Sequence, residues 1–462
     1  MGNTNTKPFG VKDKIGYMCG DIANDFTFIF ASSYVMVFYT KVMGVSAGMV
    51  GTMFLLARCL DAFTDIGMGR IVDNSKPTKN GRIRPWILRM CAFVALASFM
   101  MYQSFLVDAP YAAKVAYMFI TYILWGSIFY TSVNIPYGSM ASVISSEPKD
   151  RSSLSVFRSL GGTLAGILIG MLAPMVVYYT DEAGNKVVSA SRISVIAGIF
   201  SVLAVICYLL CYTLTTERVE YVPKPDVQKK TFGQTVSALF SSRSLMGLIL
   251  SAVLLLLASL MSQGINQYLF ADYFKNTAAL SVYSLLMLPC VLVLSAVSTK
   301  LAVKFGKKEC SYIGMFISAA LYFIIGLLHV KNVWLFVGLA FLAMIGMYFF
   351  QMQCWALVTD VIDDMEVKNY TRDDGTVYGM YSFARKIGQA IAGGLSGWAL
   401  GWIGYDELAT SQTQEVANGI YNLSTFFPAI IYALCALALL FVYPLSKAKV
   451  EANVKELEPR RK

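Results

Sequence analysis

Val50-Gly-Thr-Met-Phe-Leu-Leu-Ala-Arg58-Cys-Leu-Asp61-Ala-Phe-Thr64-Asp65-Ile-Gly-Met-Gly-Arg-Ile71 is long and apolar enough to cross a bilayer, yet two carboxylates sit inside it one helical turn apart. Such groups are costly in hydrocarbon unless a positive species or a water-filled path compensates them. Asp61 and Asp65 share a helix face at i and i+4, so their charges repel unless a cation lies between them. A plainer reading also exists: Arg58, one turn before Asp61, forms a structural ion pair. The pattern as a whole points to a place where a cation or proton binds and leaves, as in a coupled transporter.

The rest of the chain supplies the membrane. Of 462 residues 56% are hydrophobic and 14% charged, with a mean hydropathy of +0.58, a composition no ordinary soluble domain could bury. Six charge-free runs each suffice for a span: Ser159–Thr180, Ile193–Thr216, Ser244–Ala271, Asn276–Thr299, Asn332–Thr359 and Val416–Ser446. Adding spans interrupted by single charges predicts twelve helices at 15–40, 47–72, 86–107, 112–144, 153–180, 191–215, 242–272, 277–303, 309–329, 332–361, 377–404 and 420–446. A membrane β-barrel would show short alternating strands instead, so the fold class is all-α. Asp21 and Asp25 break the first apolar region and no cleavage box follows, so it reads as a retained helix.

Charge in the loops predicts orientation. Lys7, Lys12 and Lys14 precede the first helix, and Lys76, Lys79, Arg82, Arg84, Lys149, Arg151, Arg218, Lys224, Lys229 and Lys230 follow even-numbered ones. Lys304, Lys307, Lys308, Lys368, Arg372, Lys447, Lys449, Arg460, Arg461 and Lys462 continue the trend, while the opposite loops are nearly free of Lys and Arg. Both termini are therefore expected in the cytoplasm. The net charge of +10 is explained by topology, and no nucleic-acid partner is needed. The polar stretch Thr216–Gln234, with Pro223 and Pro225, predicts a division into a six-helix bundle over 1–216, a cytoplasmic loop over 217–236 and a second bundle with its tail over 237–462, the bundles facing a central cavity. Basic glycine-containing turns at Gly69–Asp73, Gly81–Arg84 and Lys304–Lys308 hint at a repeat.

Several classes are disfavoured. The nine cysteines, Cys59, Cys207, Cys211 and Cys354 among them, fall largely within apolar helices and suggest neither a disulfide framework nor a zinc site. His329 is the single histidine and no nucleophile elbow is present, which leaves an enzyme little to work with.

Thr131 and Asn134, three residues apart, present a hydroxyl and an amide oxygen on one face of the fourth helix, and Pro136 just beyond frees a backbone carbonyl. Hard monovalent cations favour such oxygens. Gly16-Tyr-Met-Cys-Gly-Asp21 with Asn24-Asp25, Arg58-Cys-Leu-Asp-Ala-Phe-Thr-Asp65, Arg82-Ile-Arg-Pro-Trp86, Asn134-Ile-Pro-Tyr-Gly138 and Asp360-Val-Ile-Asp363 together resemble the glycoside–pentoside–hexuronide:cation symporter family of the major facilitator superfamily, the group of the melibiose and glucuronide carriers. The likeness covers nearly the whole chain. It implies twelve helices in two bundles, residence in a bacterial cytoplasmic membrane, action as a monomer, and uptake of a glycoside or hexuronide coupled to H⁺ or Na⁺ with no other cofactor.

By that resemblance Asp61, Thr64, Asp65, Thr131 and Asn134 form the cation site, with Arg58 and Lys386 coupling it to cargo. Melibiose carriers have Asp in place of Asn134 and Asn in place of Thr64; losing a formal negative charge weakens Na⁺ binding more than proton uptake, so H⁺ is favoured. The glucuronide-carrier branch shares the Asn134–Gly138 motif, which makes a glucuronide the first candidate cargo. Asp25 and Arg158 match sugar-binding positions; Arg158 would clamp either Asp25 or an acidic cargo group, or the two would form only a salt bridge. Tyr34, Tyr130, Tyr137, Trp355 and Tyr381, with Ser382, are candidate cargo contacts, although aromatics are common in any membrane core. Gly138 replaces the melibiose carriers' tryptophan, so that stacking platform is missing. Lys386, deep in helix 11, would neutralise Asp61 or Asp65, and its neighbour Arg385 is expected to point elsewhere. Asp360, Asp363, Asp364 and Glu366 are expected to follow helix 10 at the surface and to pair with Arg82, Arg84, Lys307 or Lys308 as an inner gate. The alternatives are a transporter-like sensor without net transport and a carrier of a xyloside or lysolipid.

Overall fold

A computed structural model describes residues 8–73, 75–76, 78, 81–145, 147–219, 242–369 and 374–459. The expected connecting loop at 217–236 lies outside the described residues from 220 onward, as do Lys7, Lys79, Lys224, Lys229, Lys230, Arg372, Arg460, Arg461 and Lys462 of the charge pattern. The long helices are α1 (Val11–Lys41), α2 (Ala47–Asp73), α3 (Arg84–Met100), α4 (Tyr111–Ile144), α5 (Pro148–Val177), α6 (Ala190–Leu214), α7 (Arg243–Tyr273), α8 (Thr277–Leu285 continuing as Met287–Phe305), α9 (Lys307–Leu328), α10 (Val333–Asn369), α11 (Asp374–Trp402) and α12 (Gln414–Val442). Among the described residues ten helices are long and apolar enough to cross a membrane; α3, with 17 residues, and α11, carrying Arg385 and Lys386, take the third and eleventh places.

The differences from the expected boundaries have local causes. α3 ends at Met100, where Gln103 folds its amide back onto the Phe99 carbonyl at 2.8 Å. α5 starts early because Pro148 stands in its first turn, where a missing N–H costs nothing. It stops at Val177, and Tyr178–Thr180 (β1) pairs antiparallel with Lys186–Val188 (β2). α8 breaks at Leu286 because Pro289 cannot donate to the Leu285 carbonyl. The tail forms α13 (Lys447–Leu457), with Leu457 fully buried.

Contacts divide the chain into two compact units, one built mainly from α1 to α6 together with Leu280–Leu285 and Leu400–Gln412, the other from α7 to α13. The packing repeats six helices apart: α1 and α3 both lie on α6, and α7 and α9 both lie on α12. In the second unit Gly314 and Gly346 let the α9 and α10 backbones approach so closely that a Cβ on Gly346 would strike the Gly314 carbonyl; Ser318 then bonds the Ala343 carbonyl at 2.6 Å.

The weak turn repeat has a structural counterpart. Gly81 and Gly306, just before α3 and α9, adopt φ of +101° and +102°, and a side chain on either would collide with a carboxylate, Glu217 or Glu309. Glu217 accepts the backbone N–H groups of Arg82, Ile83 and Arg84 at 2.9, 2.9 and 2.7 Å, serving donors at the start of α3 that have no intrahelical partner. Replacing it, Glu217→Ala, is expected to lower stability by about 1–2 kcal/mol. Thermal unfolding in detergent micelles measures this, and an unchanged midpoint would mean that water serves those donors equally well.

Candidate functional site

The carboxylate pair is organised by α2 and α4 within the first unit. Arg58, one turn before Asp61, donates from Nη1 to Asp61 Oδ2 at 3.0 Å and from Nη2 to the Tyr122 hydroxyl at 3.4 Å, and its guanidinium lies 5.0 Å from the Phe28 ring centroid. The remaining oxygen of Asp61, a residue only 7% exposed, accepts the Ser127 hydroxyl at 2.5 Å. Asp65 is half-buried, and its Oδ1 accepts the Thr131 hydroxyl at 2.9 Å. The plain ion pair and the paired acids therefore coexist: a guanidinium and a hydroxyl offset the burial of Asp61.

α4 brings both hydroxyls to bear through one irregular turn. From Leu124 to Tyr130 it is a π-helix, with the Thr131 N–H reaching the Gly126 carbonyl five residues back. Widened turns of this kind are rare and tend to occur at functional sites. Ser127 and Thr131 thereby address Asp61 and Asp65 in register. Ser127 escaped the sequence reading, because one serine in an apolar span looks like filler; its available signal was its place four residues before Thr131.

Two of the expected cation-site residues make no hydrogen bond to the carboxylates among the described residues. The Thr64 hydroxyl bonds its own helix at the Asp61 carbonyl, 3.2 Å away, as helical threonines commonly do. Asn134, half-buried one turn beyond Thr131, makes no side-chain hydrogen bond among the described residues.

Arg158 on α5 also meets a different acid from the one expected. Its Nε donates to Asp21 Oδ1 at 2.9 Å, and its guanidinium lies 5.3 Å from the Tyr137 ring centroid. Asp21 and Asp25 are one turn apart on α1 and both lie against Gly162, where a Cβ would crowd the Asp25 carboxylate. Arg158 stands one turn before Gly162, and its salt bridge forms with the earlier of the two acids, Asp21. Asp25 is half-buried and accepts no hydrogen bond among the described residues. Tyr130 packs its ring on Phe28 and Trp125 at 5.8 and 5.5 Å. Tyr34 is fully buried against Phe30, and Tyr137 is buried against Tyr17 with its hydroxyl on the Tyr17 carbonyl at 2.7 Å, so both are core residues.

In the second unit Trp355 on α10 and Tyr381 on α11 meet edge to face at 5.2 Å. Trp355 is 47% exposed, whereas Tyr381 is fully buried with its hydroxyl unpartnered among the described residues. Arg385, expected to turn away, lies over both rings at 5.8 Å from each centroid; four residues from Tyr381, it shares that face of α11. Lys386 is half-buried on the next position, and the Ser382 side chain lies outside the described residues.

One of the expected pairings is present inside this unit, where Lys307 meets Asp360 at 2.6 Å. The acids are not a solvated helix end, however. α10 runs to Asn369 and carries them, and fully buried Asp364 accepts from Ser244, Lys368 and Asn453 at 2.7, 2.6 and 3.3 Å. In the first unit the Arg84 guanidinium donates to the Tyr212 carbonyl and lies over that ring at 4.8 Å.

Repeated packing of long apolar helices, with acids, hydroxyls and guanidinium groups held inside the spans, defines a multi-pass membrane transporter. The chain belongs to the MFS/sugar transport protein family, whose model matches residues 16–447, and it is accordingly a carrier of the symporter kind, not an enzyme. It is 31% identical to the uncharacterized symporter YjmB of Bacillus subtilis, covering 98% of this chain and 96% of that protein. Identity to the glucuronide carrier protein homolog of Escherichia coli is 30%, covering 97% and 95%. Among solved structures the D-xylose-proton symporter superposes with a TM-score of 0.64 at 14% identity, covering 94% and 97%, and so shares the major facilitator fold. The motif resemblance to glycoside–pentoside–hexuronide:cation symporters agrees with these relatives.

Proposed function

We propose that this chain is a secondary active symporter of a bacterial cytoplasmic membrane, with both termini in the cytoplasm, that takes up a glucuronide or related glycoside together with a proton by alternating access, as a monomer. One observation carries the coupling half of this reading: two carboxylates a turn apart on α2, with hydroxyls of Ser127 and Thr131 laid on them by the π turn of α4. This is the oxygen-rich, partly buried setting in which binding a positive species offsets the burial of acid. The proton is favoured over Na⁺ because Asn134 brings no charge and is not drawn into the carboxylate group. Cation entry and cargo entry are coupled when each ligand reduces the cost of the state that the other requires. Asp25, Arg158, Tyr130, Trp355 and Tyr381 are the proposed cargo contacts, with Thr64 and Asn134 lining the cation site, Lys386 and Arg58 as coupling residues, and the chain divided functionally at 217–236. The E. coli relative named a glucuronide carrier homolog supports the choice of cargo.

Proteoliposome uptake across glucuronides, xylosides, galactosides and lysolipids, each under an imposed H⁺ or Na⁺ gradient, tests the reading. A glucuronide is expected to accumulate against its gradient when the interior is alkaline. Accumulation of lysolipid alone, or of a sugar with Na⁺ but not H⁺, would overturn the cargo or the ion respectively.

A further inference from the structure

Among the described residues three arginines lie more than two turns from either end of their helices and rest on aromatic rings, and two of them hold a carboxylate. Arg58, against Phe28, pairs with Asp61, and Arg158, against Tyr137, pairs with Asp21. Arg385, against Trp355 and Tyr381, has no carboxylate partner among the described residues. Asp374, the nearest acid in sequence on its own helix, is eleven residues away, about 16 Å of helical rise. Asp360 on α10 is engaged by Lys307.

A guanidinium inside a span is costly unless something anionic or aqueous meets it. Stacking over aromatic faces partly offsets that cost and holds the group in place, yet it uses only the flat side of the fork, and the in-plane N–H groups make no hydrogen bond within 3.5 Å among the described residues. Beside it the buried Tyr381 hydroxyl has no hydrogen-bond partner among the described residues. Half-exposed Trp355 leaves this corner of α10 and α11 open on one side. A fixed fork with an adjacent hydroxyl matches the geometry of a planar or tetrahedral oxoacid, which takes two parallel N–H bonds and one O–H bond.

We infer that Arg385, positioned by Trp355 and with Tyr381 beside it, is the specificity-determining residue that receives the acidic group, carboxylate or sulfonate, of an anionic sugar. The inference rests on the proposed sugar transport and adds which group reads the charge of the cargo. Lysine in its place would keep the charge but lose the bidentate fork.

The test is counterflow exchange in proteoliposomes without any ion gradient, using a β-glucuronide, the neutral β-glucoside of the same aglycone and a 6-sulfonated glucoside. The wild type is expected to prefer at least one acidic probe over the neutral one by about tenfold or more, the discrimination typical of a charged hydrogen-bonded pair. Which acid wins separates carboxylate from sulfonate. Arg385→Gln should bring the acidic-to-neutral ratio close to one, and Arg385→Lys should restore part of it. Equal or better wild-type exchange of the neutral glucoside would overturn the role of Arg385 while leaving sugar transport standing. Equal loss of all three probes in Arg385→Gln without rescue by lysine would assign the residue to structure alone. A wild type that exchanges none of the three would remove the sugar reading and this inference with it.

Discussion

Asp65→Asn is expected to abolish uphill accumulation while exchange down a cargo gradient persists. With one proton carried per cargo molecule, each pH unit across the membrane contributes about 1.36 kcal/mol and hence about tenfold accumulation in the wild type. The asparagine cannot take up a proton, so its accumulation ratio should stay near one at every imposed gradient. The neighbouring acid does not substitute for it, because both oxygens of Asp61 already accept bonds from Arg58 and Ser127. Internal and external label measured over a series of pH steps gives the slope directly. A slope in Asp65→Asn equal to that of the wild type would end the assignment of coupling to this residue.

Arg58→Gln is expected to have the largest effect on stability, because it leaves Asp61, only 7% exposed, without its guanidinium. Stranding one member of a buried ion pair costs about 3–5 kcal/mol, whereas removing both members is often close to neutral. The double substitution Arg58→Gln/Asp61→Asn should therefore recover most of the loss. Unfolding of the four proteins in the same micelle forms a double-mutant cycle. If the two single effects simply add, the pair contributes no coupling energy and the electrostatic account of α2 fails.

The spans were legible because long apolar runs admit few alternatives, and so was the Asp61–Asp65 pair, since acids in such runs need compensation. Partners across helices were less so. Asp21 and Asp25 have the same periodicity, and only the packing of α1 on α5 decides which of them Arg158 meets. Arg385 and Lys386 are adjacent cations, and the sequence alone offers no sign that the aromatic pair meets the former. The acids of α10 looked solvated because charge ended the apolar run, yet Ser244, Lys307 and Asn453 come from distant positions, and Lys368 from the next turn, to satisfy them. Helix ends followed local chemistry, such as Pro148 and Pro289, more closely than hydropathy.

The widened turn of α4 also makes this transporter unusually sensitive to chain length at a single place. A regular α-helix would achieve the same advance with one residue fewer, so deleting Ile128 offers the backbone an ordinary ladder in which to settle. Such a protein could insert and fold, yet the hydroxyls of Ser127 and Thr131 would no longer arrive together at their two acids. Loss of gearing without loss of the scaffold, from removal of a residue that touches neither ion nor cargo, would identify that turn as the hinge pin between energy source and load.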